Sequence, residues 1–184
     1  MKIKLHYKSI SEVVGVDDVG LITLLDEYEH RQLNIVCDKF VVDQIQLRDM
    51  GQDLDSHMLL PEALLALLHP TEEGKAFEIF ISSVHKGEYV AELRMENDGH
   101  AVKLRAPDAV LLSIITHQPI LIDERLMNFQ SVPYQQHSKS MALPINTLSS
   151  KMIRKSLEKA IEEENYELAS QLRDELNSRK DERS

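Results

Sequence analysis

The segment Ala101–Ile122, AVKLRAPDAVLLSIITHQPILI, carries strand, turn, helix and strand signals in succession. Val102 and Leu104 alternate with basic residues, as in a strand that buries one face. Pro107 then stops the strand and suits the first turn of a helix, where its missing N–H leaves no hydrogen bond unmade. The apolar run Ile120–Ile122 is too short for a helix. It predicts a second strand that lies beside the first, reached through a compact right-handed crossover.

Arg105 and Asp108 lie at the junction between the first strand and the helix of this segment. The predicted helix has one apolar face, formed by Val110, Leu111, Ile114 and Ile115. Open sheets place ligand-binding groups at such junctions, because the carboxyl ends of strands and the amino ends of helices converge there. An arginine and an aspartate three residues apart also form local ion pairs that serve structure alone. The sequence leaves both interpretations open.

Length and composition predict one domain with a small appendage. A chain of 184 residues can bury one full core. Its net charge of −10 disfavours non-specific binding to nucleic acid, because the phosphate backbone attracts positive groups. A nucleic-acid function would therefore need a local basic patch or a metal ion.

The single cysteine, Cys37, leaves no intramolecular disulfide possible, and we expect it to be a buried apolar residue. The first ten residues, MKIKLHYKSI, alternate in polarity instead of forming a continuous apolar stretch. No run approaches the roughly 20 apolar residues that cross a bilayer. We therefore expect a soluble cytoplasmic protein without a membrane partner.

The first part of the chain predicts a small sheet followed by helices. An antiparallel meander is predicted over Lys2–Lys8, Gly20–Leu25 and Gln32–Cys37. After Asp38 the apolar residues recur at helical spacing, and Gly51 closes this helix. Its apolar positions are Phe40, Val41 and Ile45. A second helix is predicted over Pro61–Leu68, where the almost wholly apolar sequence implies deep burial.

Three further strands are predicted over Ala76–Val84, Glu88–Met95 and Ala101–Leu104. The sequence Asn97-Asp98-Gly99 between the last two is a strong hairpin signal. The order of strands followed by helix thus occurs twice, in two halves of similar make-up, the first ending in the helices near residues 40–68 and the second in the helix from Pro107. This order predicts an α+β fold with mixed and antiparallel sheets and packed helices.

The C-terminal part changes character. Gln130–Ser150 is rich in Ser, Gln and Pro and is predicted to be a linker. Lys151–Arg183 has two apolar stripes separated near Asn165, a credible helix N-cap. A helical hairpin this small buries too little apolar surface to be stable alone, so we expect it to pack on a partner. The alternative is a solvated charged tail. The predicted domains are residues 1–129, a linker 130–150 and a hairpin 151–184, in a homo-oligomer.

The tail sequence SLEKAIEEENYELASQLRDEL resembles the UVR motif, the helical hairpin through which bacterial excision-repair subunits associate. The resemblance rests on Leu157, Ala160, Glu163, Tyr166, Glu167, Ala169, Leu172, Arg173 and Asp174. It implies association with a protein through the small apolar stripe of the hairpin.

The preceding domain resembles the bifunctional nuclease family, whose members cut both DNA and RNA. The resemblance rests on Arg105-Ala106-Pro107-Asp108-Ala109, the following helix with Gln118-Pro119-Ile120, and Ser56-His57-Met58 before the leucine-rich helix. It implies cleavage of phosphodiester bonds with a divalent metal, Mg²⁺ or Mn²⁺. Within it, Arg105 would bind phosphate, Asp108 would be a metal ligand, and His57 would be a general base or ligand.

Two acidic positions of the family pattern are missing. Val41 stands where the first helix of the family opens with a glutamate, and Met58 replaces an aspartate. Neither side chain offers an oxygen ligand to a metal. Asp38 and Asp43 are nearby carboxylates that would have to compensate.

The sequence therefore predicts a metal-dependent nuclease, acting on DNA or RNA, or a diverged descendant of one. An alternative from a different class is a catalytically silent scaffold that binds a DNA-repair or stress-response protein through the hairpin. A third alternative is a small-molecule sensor that uses the cleft near Arg105.

Overall fold

A computed structural model of the chain describes residues 1–12, 18–49, 59–67, 77–85, 87–95, 99–134, 148 and 150–181. The strands are β1 Lys2–Glu12, β2 Val19–Asp26, β3 Arg31–Asp38, β4 Phe77–His85, β5 Glu88–Met95, β6 Ala101–Arg105, β7 Ile120–Asp123 and β8 Val132–Pro133. The helices are α1 Lys39–Asp49, α2 Leu60–Leu67, α3 Ala106–Thr116, α4 Glu124–Gln130, α5 Ser150–Glu162 and α6 Tyr166–Asp181. Among these described elements the strands form one mixed sheet in the order β6-β5-β4-β7-β1-β2-β3-β8. The predicted α+β class with a C-terminal helical hairpin is confirmed.

The first three strands form the predicted antiparallel meander. Leu21 of β2 lies opposite Val36 of β3, and Leu5 of β1 lies opposite Asp26 of β2. A register shift interrupts the β1–β2 pairing between Tyr7 and Ser9. Buried and more exposed side chains alternate along much of β3, as expected for a strand with unlike faces.

The second group of strands joins the first through β7, the short strand after α3. Ile120 and Ile122 of β7 are fully buried, pair in parallel with β4, and pair in antiparallel with β1. The prediction that this strand lies beside β6 was wrong. Because β6 pairs with β5 and β5 with β4, the crossover through α3 passes over two strands before β7 reaches a free edge.

The core lies between the sheet and the helices α1 and α3, which also contact each other. Val41, Val42 and Ile45 of α1 are buried in this core, together with Cys37 at the end of β3. Helix α1 packs closely because Gly20 of β2 has no side chain. A Cβ atom there would lie 2.3 Å from Cγ2 of Val42. The close contact fixes the position of α1 over the sheet.

Two burial predictions failed. Leu60 and Leu64 of α2 are 70% and 53% exposed, so α2 is not the deeply buried helix that its composition suggests. It contacts the rest of the domain through Leu65 and through Glu62, whose carboxylate accepts a hydrogen bond from Arg48 Nε at 2.9 Å. Phe40, expected on the apolar face of α1, is 65% exposed. In both cases tertiary packing uses another helix face than composition alone indicates.

Helices α5 and α6 form the predicted hairpin. Asn165 is the N-cap of α6, since its side chain accepts a hydrogen bond from the Leu168 N–H at 3.2 Å. The buried residues between the two helices are Ile153, Ala160, Ala169 and Leu172. Val19 and Val36 of the sheet belong to the same apolar cluster. The hairpin therefore packs against the end of β2 and the edge of β3.

Helix α4 and the two-residue strand β8 complete the described domain. Val132 and Pro133 pair with β3, within the segment that the sequence predicts to be a linker. The helices in the described ranges include none that is both long enough and apolar enough to span a bilayer.

Candidate functional site

Two strand-to-helix junctions lie side by side in the fold. At the first, β3 ends at Asp38 and α1 begins at Lys39. Oδ1 of Asp38 accepts the N–H of Val41 at 3.1 Å, which caps α1. At the second junction, β6 ends at Arg105 and α3 begins at Ala106, with Pro107 in its first turn. The sequence places these junctions 67 residues apart, and five strands separate β3 from β6 in the sheet. The junctions meet where the helices that follow them, α1 and α3, pack against each other.

Arg105 joins the two junctions. Its Nε and Nη2 atoms donate to Oδ2 and Oδ1 of Asp108 at 2.7 and 3.0 Å. Its Nη1 atom donates to Oδ2 of Asp38 at 2.6 Å. The hydrogen bonds to Asp108 and then to Asp38 raise the pKa of the guanidinium above its usual value, so Arg105 carries a positive charge throughout the ordinary pH range.

The ion pair between Arg105 and Asp108 is the one that the structural interpretation expected, and Asp38 extends it. The arrangement remains accessible, since the Arg105 side chain is 58% exposed. Exposed ion pairs contribute at most about 1 kcal/mol to stability, because water solvates both charges. Arg105 can therefore exchange a carboxylate for another oxyanion at little energetic cost.

A pocket of about 830 Å³ lies against these junctions. It is bounded by residues of β3, β5, β6, α1 and α5. Its cationic residues are Lys39, Lys103, Arg105 and Lys155, and its acidic residues are Asp18, Asp38 and Glu88. The slight excess of positive charge is local, because the chain as a whole has a net charge of −10. The lining is therefore mixed in charge, and Lys39, Arg105 and Lys155 each pair with a carboxylate. A phosphate group would bind these cations in exchange for those carboxylates.

Aromatic and thiol groups also line the pocket. Phe40 presents an exposed ring at the start of α1. Burial raises the pKa of Tyr89 to about 12, and its hydroxyl donates to Oε1 of Gln130 at 3.1 Å. Burial, followed by the charge of Asp38, raises the pKa of Cys37 to about 12. Cys37 is therefore a neutral thiol at pH 7 and a poor nucleophile.

The other residues singled out in the sequence lie elsewhere. Asp43 pairs with Lys39 Nζ at 2.9 Å on an exposed part of α1. Val41, at the missing glutamate position, is fully buried in the core. His57 and Met58 lie outside the described residues.

The carboxylates near Arg105 are the oxygen ligands that a divalent cation would use in this pocket. Asp38 and Asp108 bring two carboxylates to one guanidinium. Among the residues that the structure describes, no three side chains of His, Cys, Asp or Glu form a common metal site. Mg²⁺ in phosphate-processing sites often uses only one or two carboxylates and completes its shell with water and substrate oxygens. In this structure both aspartates are paired with Arg105, so a metal ion would bind them only after Arg105 turned away.

Several residues of the pocket were not found by sequence analysis. In the sequence, Lys39 is only a charged residue beside the boundary of a helix, and Lys103 is only a charged residue on an alternating strand. Neither feature indicates a binding site. Lys155 carries no signal, because its place in the pocket depends on how the hairpin docks. Asp38 had one local signal, its position as the N-cap residue before a helix.

Comparison with known families gives two matches. The model of the bifunctional nuclease domain matches residues 22–135, which include both junctions and most of the sheet. The model of the UvrB/uvrC motif matches residues 151–181, the hairpin of α5 and α6. No curated protein matches the chain at a significant level. Since the first match covers more than half of the 184 residues, the chain belongs to the bifunctional nuclease domain family.

Proposed function

We propose that this protein is a metal-dependent nuclease that hydrolyses phosphodiester bonds of DNA or RNA in the pocket at Arg105. One observation carries the proposal. Arg105 receives carboxylates from two strand-to-helix junctions and lies in a pocket with three lysines. Membership of the bifunctional nuclease domain family supports the same reaction class.

In this proposal Arg105 binds a non-bridging pair of phosphate oxygens through its planar fork. Asp108 and Asp38 are the residues that would hold Mg²⁺ or Mn²⁺. The bound metal supplies Lewis acidity toward the phosphate and lowers the pKa of a coordinated water. His57 is the proposed general base, and the missing aspartate at Met58 removes one acid that the family resemblance would place next to it.

The test is cleavage of a single-stranded oligonucleotide with Mg²⁺, with Mn²⁺ and with a chelator present. We expect a requirement for the divalent cation and a loss of rate of at least tenfold in Asp108→Asn, which keeps the shape but removes the charge. Glu27→Gln is the control, because Glu27 is an exposed carboxylate that pairs with Lys4 at 3.0 Å, and neither residue lines the pocket. Equal rates for Asp108→Asn and wild type would contradict the site assignment.

A second candidate function is a silent scaffold that binds an excision-repair or stress-response protein through the hairpin. Two observations favour it: Val41 is buried at the missing glutamate position, and the hairpin matches the UvrB/uvrC motif. Ile161 and Tyr166 are large exposed side chains beside the turn of this hairpin. If the protein is a scaffold, we expect no cleavage with either metal. We also expect it to bind an isolated UVR hairpin, and we expect Ile161→Ser and Tyr166→Ser to abolish this binding. Cleavage that depends on Asp108 would contradict it.

A further inference from the structure

Helix α5 of the C-terminal hairpin forms part of the pocket wall. Met152 and Lys155, both on α5, line the same pocket as Arg105. The Lys155 side chain is 61% exposed, so its ammonium group can meet a ligand from solvent. A segment matched by its own motif thus supplies a cation to the pocket of the preceding domain.

The docking of α5 does not depend on Lys155 alone. Ile153 is fully buried in the apolar cluster that contains Val19 and Val36. Burial of a large apolar side chain stabilises more than an exposed ion pair does. The hairpin therefore remains docked when the Lys155 charge is removed.

Asp18 connects Lys155 to the first junction. Lys155 Nζ donates to Oδ2 of Asp18. Asp18 has a left-handed backbone conformation with a φ of 60°, and its carbonyl oxygen accepts the N–H of Lys39 at 3.0 Å. The ion pair therefore holds Lys155 beside the start of α1, next to Asp38, which binds Arg105.

We propose that Lys155 is a phosphate-binding residue of the pocket, so that the hairpin forms part of the nucleic-acid site. This inference rests on the proposed function of the pocket. Asp18 holds Lys155 in place while the pocket is empty, and a phosphate of the bound strand replaces that carboxylate. Arg105 and Lys155 then bind phosphates from two different elements of the chain.

The experiment measures binding of a fluorescent, phosphorothioate-linked single strand to the full chain by anisotropy, with Mg²⁺ present and monovalent salt varied. The modified linkage resists cleavage, so binding is observed alone. We expect Lys155→Ala to weaken binding about tenfold, as for one lost charged hydrogen bond. The slope of log K against log salt should also fall by about 0.7, the value for one phosphate contact on a single strand. Arg154→Ala is the matched control, because Arg154 is an exposed cation on α5 that does not line the pocket.

Asp18→Asn separates ligand binding from a structural role of the same ion pair. Asparagine tolerates the left-handed conformation, and the carbonyl of residue 18 still accepts the Lys39 N–H. If Lys155 binds phosphate, this variant binds the strand as tightly as wild type or more tightly, because a competing carboxylate is gone. Weaker binding, equal to that of Lys155→Ala, would show a structural role and overturn the inference.

Two further outcomes are distinguishable. If wild type binds the strand and Lys155→Ala matches Arg154→Ala in affinity and salt slope, the inference fails while the proposed function stands. If wild type does not bind the strand, the proposed function fails and the inference fails with it.

Discussion

At the scale of single residues, the geometry at Arg105 is specific to arginine. Three of its nitrogens donate to two carboxylates that lie on different elements. A lysine ammonium is a single point of charge and cannot reproduce this fork. We therefore expect Arg105→Lys to weaken oligonucleotide binding almost as much as Arg105→Ala, by about tenfold.

Stability should respond differently from binding at this position. Because both ion pairs of Arg105 are partly exposed, either substitution should change the free energy of unfolding by less than about 1 kcal/mol. Oligonucleotide titration and urea unfolding of the same samples measure the two effects. Full binding by Arg105→Lys would show that only charge matters there.

Val41 gives a second prediction at this scale. Its side chain is fully buried in the core, so restoring the glutamate of the family pattern places a carboxyl group among apolar neighbours. Burial favours the neutral form and raises the pKa of an introduced carboxyl. Val41→Glu should therefore destabilise by about 3 kcal/mol or more at pH 7, and the loss should grow as the pH rises.

Val41→Met is the matched control, since it adds size without adding charge; overpacking of the core should cost about 1–3 kcal/mol and should not depend on pH. Urea unfolding between about pH 5 and pH 8 measures the stability of both variants. This range is chosen because the raised pKa of a buried carboxyl is expected to lie in or near it. A Val41→Glu chain as stable as wild type would mean that this position opens to the pocket.

At the scale of elements, the β2–β3 turn depends on one buried carboxylate. Burial of Asp26 raises the pKa of its carboxyl, but hydrogen bonds from Arg31 and His30 lower it by more, so the net pKa is below the ordinary 3.8. The acceptor atoms take the His30 N–H at 2.9 Å and the Arg31 Nε at 3.1 Å. The turn is therefore held by the ionised form of this side chain.

The lowered pKa of Asp26 makes its contribution to stability depend on pH. A carboxyl with a lower pKa in the folded state contributes stability above its unfolded pKa and loses it as the pH falls through the folded pKa. We expect urea unfolding to show stability falling below about pH 4. Asp26→Asn should remove part of that fall, since the pKa values of Asp18 and Glu92 are lowered as well. Asp123→Asn is the control, because Asp123 caps α4 through one hydrogen bond at an exposed position. An unchanged acid slope in Asp26→Asn would contradict the assignment.

Local patterns predicted most of these elements, and long-range packing decided the rest. The periodicities of β1 to β6, α1 and α3 are local, so the sequence carries them directly. The place of β7 depends on which edge is free after β4, β5 and β6 have paired. The exposed faces of α2 and the ring of Phe40 likewise depend on contacts distant in sequence.

At the scale of the whole molecule, local patterns predicted part of the candidate site and long-range packing decided the rest. The strand, proline and helix pattern located Arg105 and Asp108 at one junction. The contribution of Asp38 comes from a second junction, which the packing of α1 against α3 brings near the first. Lys155 enters through the docking of the hairpin, so no local pattern could predict its place in the pocket.

The hairpin of α5 and α6 should be separable from the sheet domain as a unit. Deletion of residues 135–184, which include the hairpin, should leave the sheet domain folded, because its main core is separate from the cluster that contains Ile153. The chain should end after Tyr134 rather than Phe129, since Val132 and Pro133 pair with β3. We expect a cooperative thermal transition, lowered by the exposure of Val19 and Val36 to water.

The same truncated chain should bind the oligonucleotide about tenfold more weakly, because it lacks Lys155 but keeps Arg105. If the hairpin is also the surface through which the predicted homo-oligomer forms, self-association should weaken as well. Analytical ultracentrifugation, thermal melts and oligonucleotide titration of the 1–134 chain measure the three properties. Loss of the cooperative melt would show that the hairpin belongs to the folding unit, since its cluster with Val19 would then be required for the sheet to form. A folded 1–134 chain with unchanged self-association would instead place the oligomer interface on the sheet domain.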